Sequence, residues 1–196
     1  MSGQNVIALH PNRRVRRAVF EDGPIAMLLF VIVEAMMFAG LVSAFMLTRA
    51  ADGGAWPLAG QARLPLAQTA VNTAALLASG GLVFRAARAW EKRETRTGAL
   101  LTAALALGAF FVFFQGVVWL APIRQGLTLT SSPHGVFFCL IVGMHGAHAL
   151  GALIFMGIAW LRLKRGSLSS GVFSAARILW YFAVGLWPVL YLCLYL

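Results

Sequence analysis

The sequence predicts an all-α integral membrane protein: a bundle of five transmembrane helices, with the N-terminus cytoplasmic and the C-terminus on the periplasmic or outer side. Three observations carry that reading. The 196 residues are 60% hydrophobic and only 11% charged, with a mean hydropathy of +0.81, more apolar material than a water-exposed domain can bury. The charges withdraw from five intervals, each near the ~20 apolar residues needed to cross ~30 Å of hydrocarbon. Finally, Lys and Arg crowd onto alternate connections between those intervals.

The first interval, about 24–48, contains one charge, Glu34, and opens on Pro24, whose missing N–H costs nothing in a first helical turn. Its length and its central Glu fit a retained helix rather than a cleaved signal. The second, about 64–88, has an uncharged stretch from Leu64 to Phe84, with Arg85 and Arg88 placed to reach the interface from its end. The third, about 98–120, closes on Ala121-Pro122. The fourth runs over about 134–161. The fifth, about 174–196, has Arg177 near its start, at the interface. Residues 1–23 form a polar cytoplasmic tail, and 24–196 form the transmembrane domain.

Orientation follows from the basic residues. The tail, the connection after helix two and the connection after helix four hold thirteen Lys and Arg, including Arg85, Arg88, Arg162 and Arg177. The opposite side holds three, Arg49, Arg63 and Arg124. The richer side is the cytoplasmic one. This placement also explains the net charge of +10 by topology and contact with anionic lipid headgroups, and argues against a nucleic-acid partner. Cys139 and Cys193 fall in apolar runs without metal-ligand spacing and read as small buried hydrophobes.

Glu34 is the most informative residue. About ten residues into its helix, its carboxyl lies roughly 15 Å deep, where an ionised, unpaired group is expensive. Three readings stay open: a protonated carboxyl bonding a neighbouring helix, a group that moves protons, or part of a lipid or ligand site. Helix four carries Gly143-Met144-His145-Gly146-Ala147-His148, two histidines three residues apart and near one face. Metal ligation is the sharper reading, yet no carboxylate or Cys accompanies them, and a bis-His haem needs imidazoles on facing helices. Buried histidines bonded to neighbouring helices fit better. His148 lies about 14 residues from Arg162, roughly 20 Å from the inner face, so Glu34 and His148 meet if their helices are neighbours, with His145 higher. Asn72, Thr73 and Gln115 are further intramembrane polar groups, expected to bond between helices. No catalytic triad, phosphate loop or carboxylate pair is present.

These residues, in this order, resemble subunit III of the haem–copper oxidases, the cytochrome c oxidase type. The resemblance rests on Val33-Glu34-Ala35-Met36-Met37-Phe38-Ala39-Gly40, on Trp56-Pro57, on Leu64-Pro65-Leu66 and on Asn72-Thr73-Ala74-Ala75-Leu76-Leu77-Ala78-Ser79-Gly80. It continues through Gln115, Ala121-Pro122 and Gly135-Val136-Phe137-Phe138. Its most specific part is Gly143-Met144-His145-Gly146-Ala147-His148, and Trp180, Phe182, Trp187 and Tyr191 fit the last helix. Where the family has His and Asp in a Trp-His-Phe-Val-Asp pattern, this chain has Tyr181 and Val184, and it resembles a short five-helix form without the family's usual first two helices.

The resemblance implies a non-redox subunit of a bacterial respiratory terminal oxidase in the cytoplasmic (inner) membrane. Such a subunit packs on the catalytic subunit I, with subunit II in the same complex, and binds phospholipid. It supports proton uptake and sustained turnover during cytochrome c oxidation and oxygen reduction. It implies no cofactor in this chain, the haems and copper lying in the partner subunits. The same resemblance admits a quinol oxidase subunit or the accessory protein of a nitric oxide reductase. The residues alone also leave open a small proton-conducting channel or transporter built around Glu34.

Overall fold

The computed structural model describes residues 23–51, 66–124 and 133–195. The N-terminal tail, the Trp56-Pro57 loop, Leu64-Pro65 and Leu196 lie outside the described residues. The rest folds into α1 (Gly23–Ala51), α2 (Leu66–Glu91), α3 (Thr97–Arg124), α4 (Pro133–Lys164) and α5 (Ser170–Tyr195). All five are long and apolar enough to cross a membrane, and no strand occurs among the described residues.

The helices run past the expected spans, because the apolar interval marks the hydrocarbon while backbone geometry marks the helix end. At the foot of α2 the Arg93 N–H donates to the Trp90 carbonyl (3.0 Å) and the Glu94 N–H to the Ala89 carbonyl (2.8 Å). The foot of α4 repeats the pattern, with Gly166 donating to Leu163 (3.0 Å) and Ser167 to Arg162 (2.9 Å). These paired bonds satisfy carbonyls a helix end leaves open, and each requires a left-handed residue. Arg93 (φ 56°) and Gly166 (φ 65°) supply it. At the start of α5, Ser169 caps the helix by accepting the Val172 N–H at 3.4 Å.

Packing arranges the helices in a closed ring, α1–α4–α3–α2–α5, with α4 and α5 also touching across its middle. Among the described helices α1 therefore leans on α4 and α5 alone, burying Phe38 and Phe45 while Leu29, Val33 and Met36 stay more than half exposed. Small residues let the other helices approach closely. The Trp180 ring occupies the space above Gly108, and Val184 that above Gly80. The hydroxyl of Ser79 on α2 donates to the Ala104 carbonyl of α3 at 2.8 Å. Trp180, Trp187, Phe111, Phe138 and Phe173 fill the centre, each at most 2% exposed.

Candidate functional site

Helix α1 carries Phe30, Glu34 and Phe38 at four-residue intervals, hence along one face. That face meets α4. Oε2 of Glu34 lies 3.1 Å from Nε2 of His148, with side chains only 17% and 12% exposed. The other ring nitrogen, Nδ1 of His148, lies 2.7 Å from the Met144 carbonyl one turn back. Phe30 stacks on the imidazole at a centroid distance of 6.2 Å, and Phe38 and Phe182 meet it edge-on at 5.6 and 6.2 Å.

The bond to Met144 decides where the protons are. A carbonyl only accepts, so Nδ1 carries a hydrogen, and in a neutral ring Nε2 is then the acceptor. A carboxylate facing that lone pair would be repelled. The contact is therefore stable with one proton between the groups, either on Glu34 facing a neutral ring or on Nε2 facing a carboxylate. Both forms leave the pair without net charge, the condition that makes an intramembrane carboxyl tolerable. The 3.1 Å approach is within hydrogen-bond reach but off the bonding direction, so Oε2 has no aligned donor among the described residues.

His145 behaves differently from expectation. Three residues along a helix turn 300°, so the two imidazoles diverge by about 60°. His145 faces away from Glu34, stacked on Trp187 (4.9 Å, 26°) and edge-on to Phe111 (6.3 Å). It is 1% exposed, and neither ring nitrogen has a hydrogen-bond partner among the described residues. The expected bond to a neighbouring helix is absent there because aromatic rings surround the imidazole.

The interhelical polar groups form one layer beside it. Asn72 Nδ2 of α2 donates to Gln115 Oε1 (2.9 Å) and to the Phe111 carbonyl (3.1 Å) of α3. Trp187 Nε1 of α5 donates to Thr73 Oγ1 at 2.8 Å, and that hydroxyl donates to the Thr69 carbonyl at 2.7 Å. Sequence reasoning named Trp187, Ser79, Phe38 and Phe182 as motif residues but did not find the bonds of the first two or the aromatic cage. The spacing of Phe30 and Phe38 about Glu34 was the available signal for the cage.

At the basic end, Arg177 donates to Ser174 (3.3 Å) and pairs with Glu91 (3.6 Å), while Arg88 lies over the Phe84 ring at 4.6 Å. Arg162 lies in the last turn of α4 and Arg85 on α2, at that same end. Among the described residues no three of His, Cys, Asp and Glu gather as a metal site would need. With His145 turned to Trp187 and His148 to Glu34, no two described imidazoles face each other across helices.

The family model of cytochrome c oxidase subunit III matches residues 13–196. The chain is 33% identical over 178 residues to the cytochrome c oxidase subunit 3 of Oncorhynchus mykiss, covering 86% of this chain and 67% of that one. To the protein of that name in Lumbricus terrestris it is 34% identical over 179 residues, covering 86% and 68%. A probable cytochrome c oxidase subunit 3 of Nocardia farcinica is 31% identical over 168 residues, covering 83% of this chain and 81% of its own. The ordered motifs, the five-helix bundle and these likenesses converge: the chain belongs to the cytochrome c oxidase subunit III family.

Proposed function

We propose that this chain is the non-redox subunit III of a bacterial respiratory haem–copper oxidase. In this reading it sits in the cytoplasmic membrane, packs on the catalytic subunit I beside subunit II, binds phospholipid and supports proton uptake during cytochrome c oxidation. The observation that carries it is the Glu34–His148 contact at 3.1 Å in a chain of this family. The haems and copper of such a complex belong to its other subunits and supply the electron transfer. What this chain's own residues offer is a proton site and a scaffold. The neutral pair passes one proton between Oε2 and Nε2 without creating net charge in the hydrocarbon. Phe30, Phe38 and Phe182 cover the ring and keep water from separating the two groups.

The orientation is part of the same proposal. The described loops 92–96 and 165–169 share one end of the bundle, as the Arg177–Glu91 pair shows for the helices that meet there, and the Lys and Arg excess makes that end cytoplasmic. A reporter inserted near Arg93 is expected to read as inside and one fused after Leu196 as outside.

Purification of the tagged chain in mild detergent tests the assignment. Haem and copper subunits are expected to copurify in fixed ratio, and a copurifying cytochrome c-binding subunit separates this reading from a quinol oxidase or a nitric oxide reductase. A chain that purifies alone and conducts protons across liposomes would overturn the proposal in favour of a channel.

A further inference from the structure

We propose that His145 and Asn72 hold an internal water at the centre of the bundle, joining α4 to the polar layer of α2, α3 and α5. The inference needs only the helix packing and is independent of the oxidase assignment. Asn72 is 1% exposed, and its amide can point only one way. The Phe111 carbonyl accepts and never donates, so Nδ2 faces it at 3.1 Å, and the same group donates to Gln115 Oε1 at 2.9 Å. Both N–H bonds are thereby spent, and the Oδ1 acceptor has no hydrogen-bond partner among the described residues. His145 is equally buried, and both of its ring nitrogens are without one as well. Asn72 and His145 meet the same residue, Phe111, one at its carbonyl and the other at its ring. They are linked again through Trp187, which stacks on His145 and donates to Thr73, the neighbour of Asn72. The unpartnered indole N–H groups of Trp119 and Trp180 lie elsewhere, one helical turn from Gln115 and two from Trp187. Buried polar atoms that the protein leaves unpaired are usually served by ordered water.

The chemistry of the ligand follows from its hosts. The side chains of the layer, Thr69, Asn72, Thr73, Gln115 and Trp187, are uncharged, and Glu34 stands at the other imidazole. An ion held there would lack a counter-charge inside the membrane, so the ligand is neutral. It must also suit either tautomer of the ring. Towards an N–H it accepts, towards a bare nitrogen it donates, and in both cases it donates to Oδ1. Water does all of this. With water in place, the hydrogen bonds of one layer reach α2, α3, α4 and α5. Helix α4 is then held in the rotation that turns His148 towards Glu34.

The direct test is an electron cryomicroscopy map of the purified protein, with any copurifying subunits, at a resolution that shows ordered water. A peak is expected about 2.7–3.2 Å from both Asn72 Oδ1 and one nitrogen of His145. An empty site, a direct His145–Asn72 bond, or density larger than a water would overturn the proposal. Two variants test it without a map. His145→Leu and His145→Gln are similar in volume and lose the same ring stacking, but only the amide can keep the water. In a dry site the Leu variant is the more stable, because an unpaired polar group has been removed. With the water the order reverses, and the Gln variant is expected to unfold about 2–4 °C above the Leu variant. A Leu variant that equals or exceeds it in unfolding temperature contradicts the proposal. Copurification of haem and copper subunits is untouched by either result, so failure here and failure of the oxidase reading are told apart.

Discussion

Trp180 of α5 rests against the bare backbone of Gly108 on α3, so closely that a Cβ at position 108 would lie 2.7 Å from the indole Cζ2. The ring is 1% exposed, and Leu153 Cδ1 would lie 3.1 Å from the same Cβ, so the added methyl has no free space. Gly108→Ala is expected to destabilise the bundle by about 1–3 kcal/mol through overpacking. Gly81→Ala, where nothing lies within 4 Å, is expected to be neutral or slightly stabilising. Thermal unfolding of both variants in one detergent checks this. Equal loss in both would mean that helix flexibility, not the Trp180 contact, sets the cost.

Glu34→Gln is expected to keep most of the oxidase turnover at first, with loss accumulating as the complex works. The amide of Gln can donate to the Nε2 of His148, preserving the contact while removing the exchangeable proton. Glu34→Ala is expected to be harsher, leaving that nitrogen facing nothing at a cost of about 1–3 kcal/mol. Turnover assays run to many cycles, with haem and copper content held constant, distinguish the two. Immediate abolition of oxygen reduction in the assembled Gln variant contradicts this view of the residue.

Thr73→Val is expected to cost about 0.6–1.7 kcal/mol, the range for hydrogen bonds between transmembrane helices. It keeps the shape of the side chain but deprives the Trp187 indole N–H of its acceptor at 2.8 Å. The fluorescence of the protein is expected to shift as well, since Trp187 is wholly buried. No change in unfolding temperature would show that the indole finds another partner.

Arg93 occupies a left-handed position that favours glycine, with φ 56°. Arg93→Gly is expected to stabilise by up to about 1–2 kcal/mol, the strain of a non-glycine residue there, and Gly166→Ala to destabilise by a similar amount. The opposite signs make a stringent comparison by thermal unfolding. Two shifts of the same sign would rule out backbone strain as the cause.

Much of this molecule was legible before its coordinates. Charge-free intervals located five helices because hydrocarbon excludes charge over a length set by the bilayer. A count of residues from each interface put Glu34 and His148 at similar depth. Helix ends were less legible, because the bonds of Arg93 and Gly166 close α2 and α4 only beyond the apolar run. The fate of His145 was hidden for a different reason. Sequence spacing shows that two side chains share a face, but the rotation of each helix against its neighbours decides which ring meets Glu34 and which meets Trp187. That rotation is set by contacts such as Trp180 on Gly108, between residues far apart in the chain.

The placement of α1 has a consequence for how the protein is made. Its neighbours are α4 and α5, made after α2 and α3, and His148 follows Glu34 by more than a hundred residues. At ~5–20 residues per second the first helix waits on the order of ten seconds in the bilayer before its partner histidine exists. During that interval Glu34 must shelter as a neutral acid, or against the insertion machinery. The ring of these five helices thus closes only after α4 and α5 are made, and the Glu34–His148 contact comes into being when it closes.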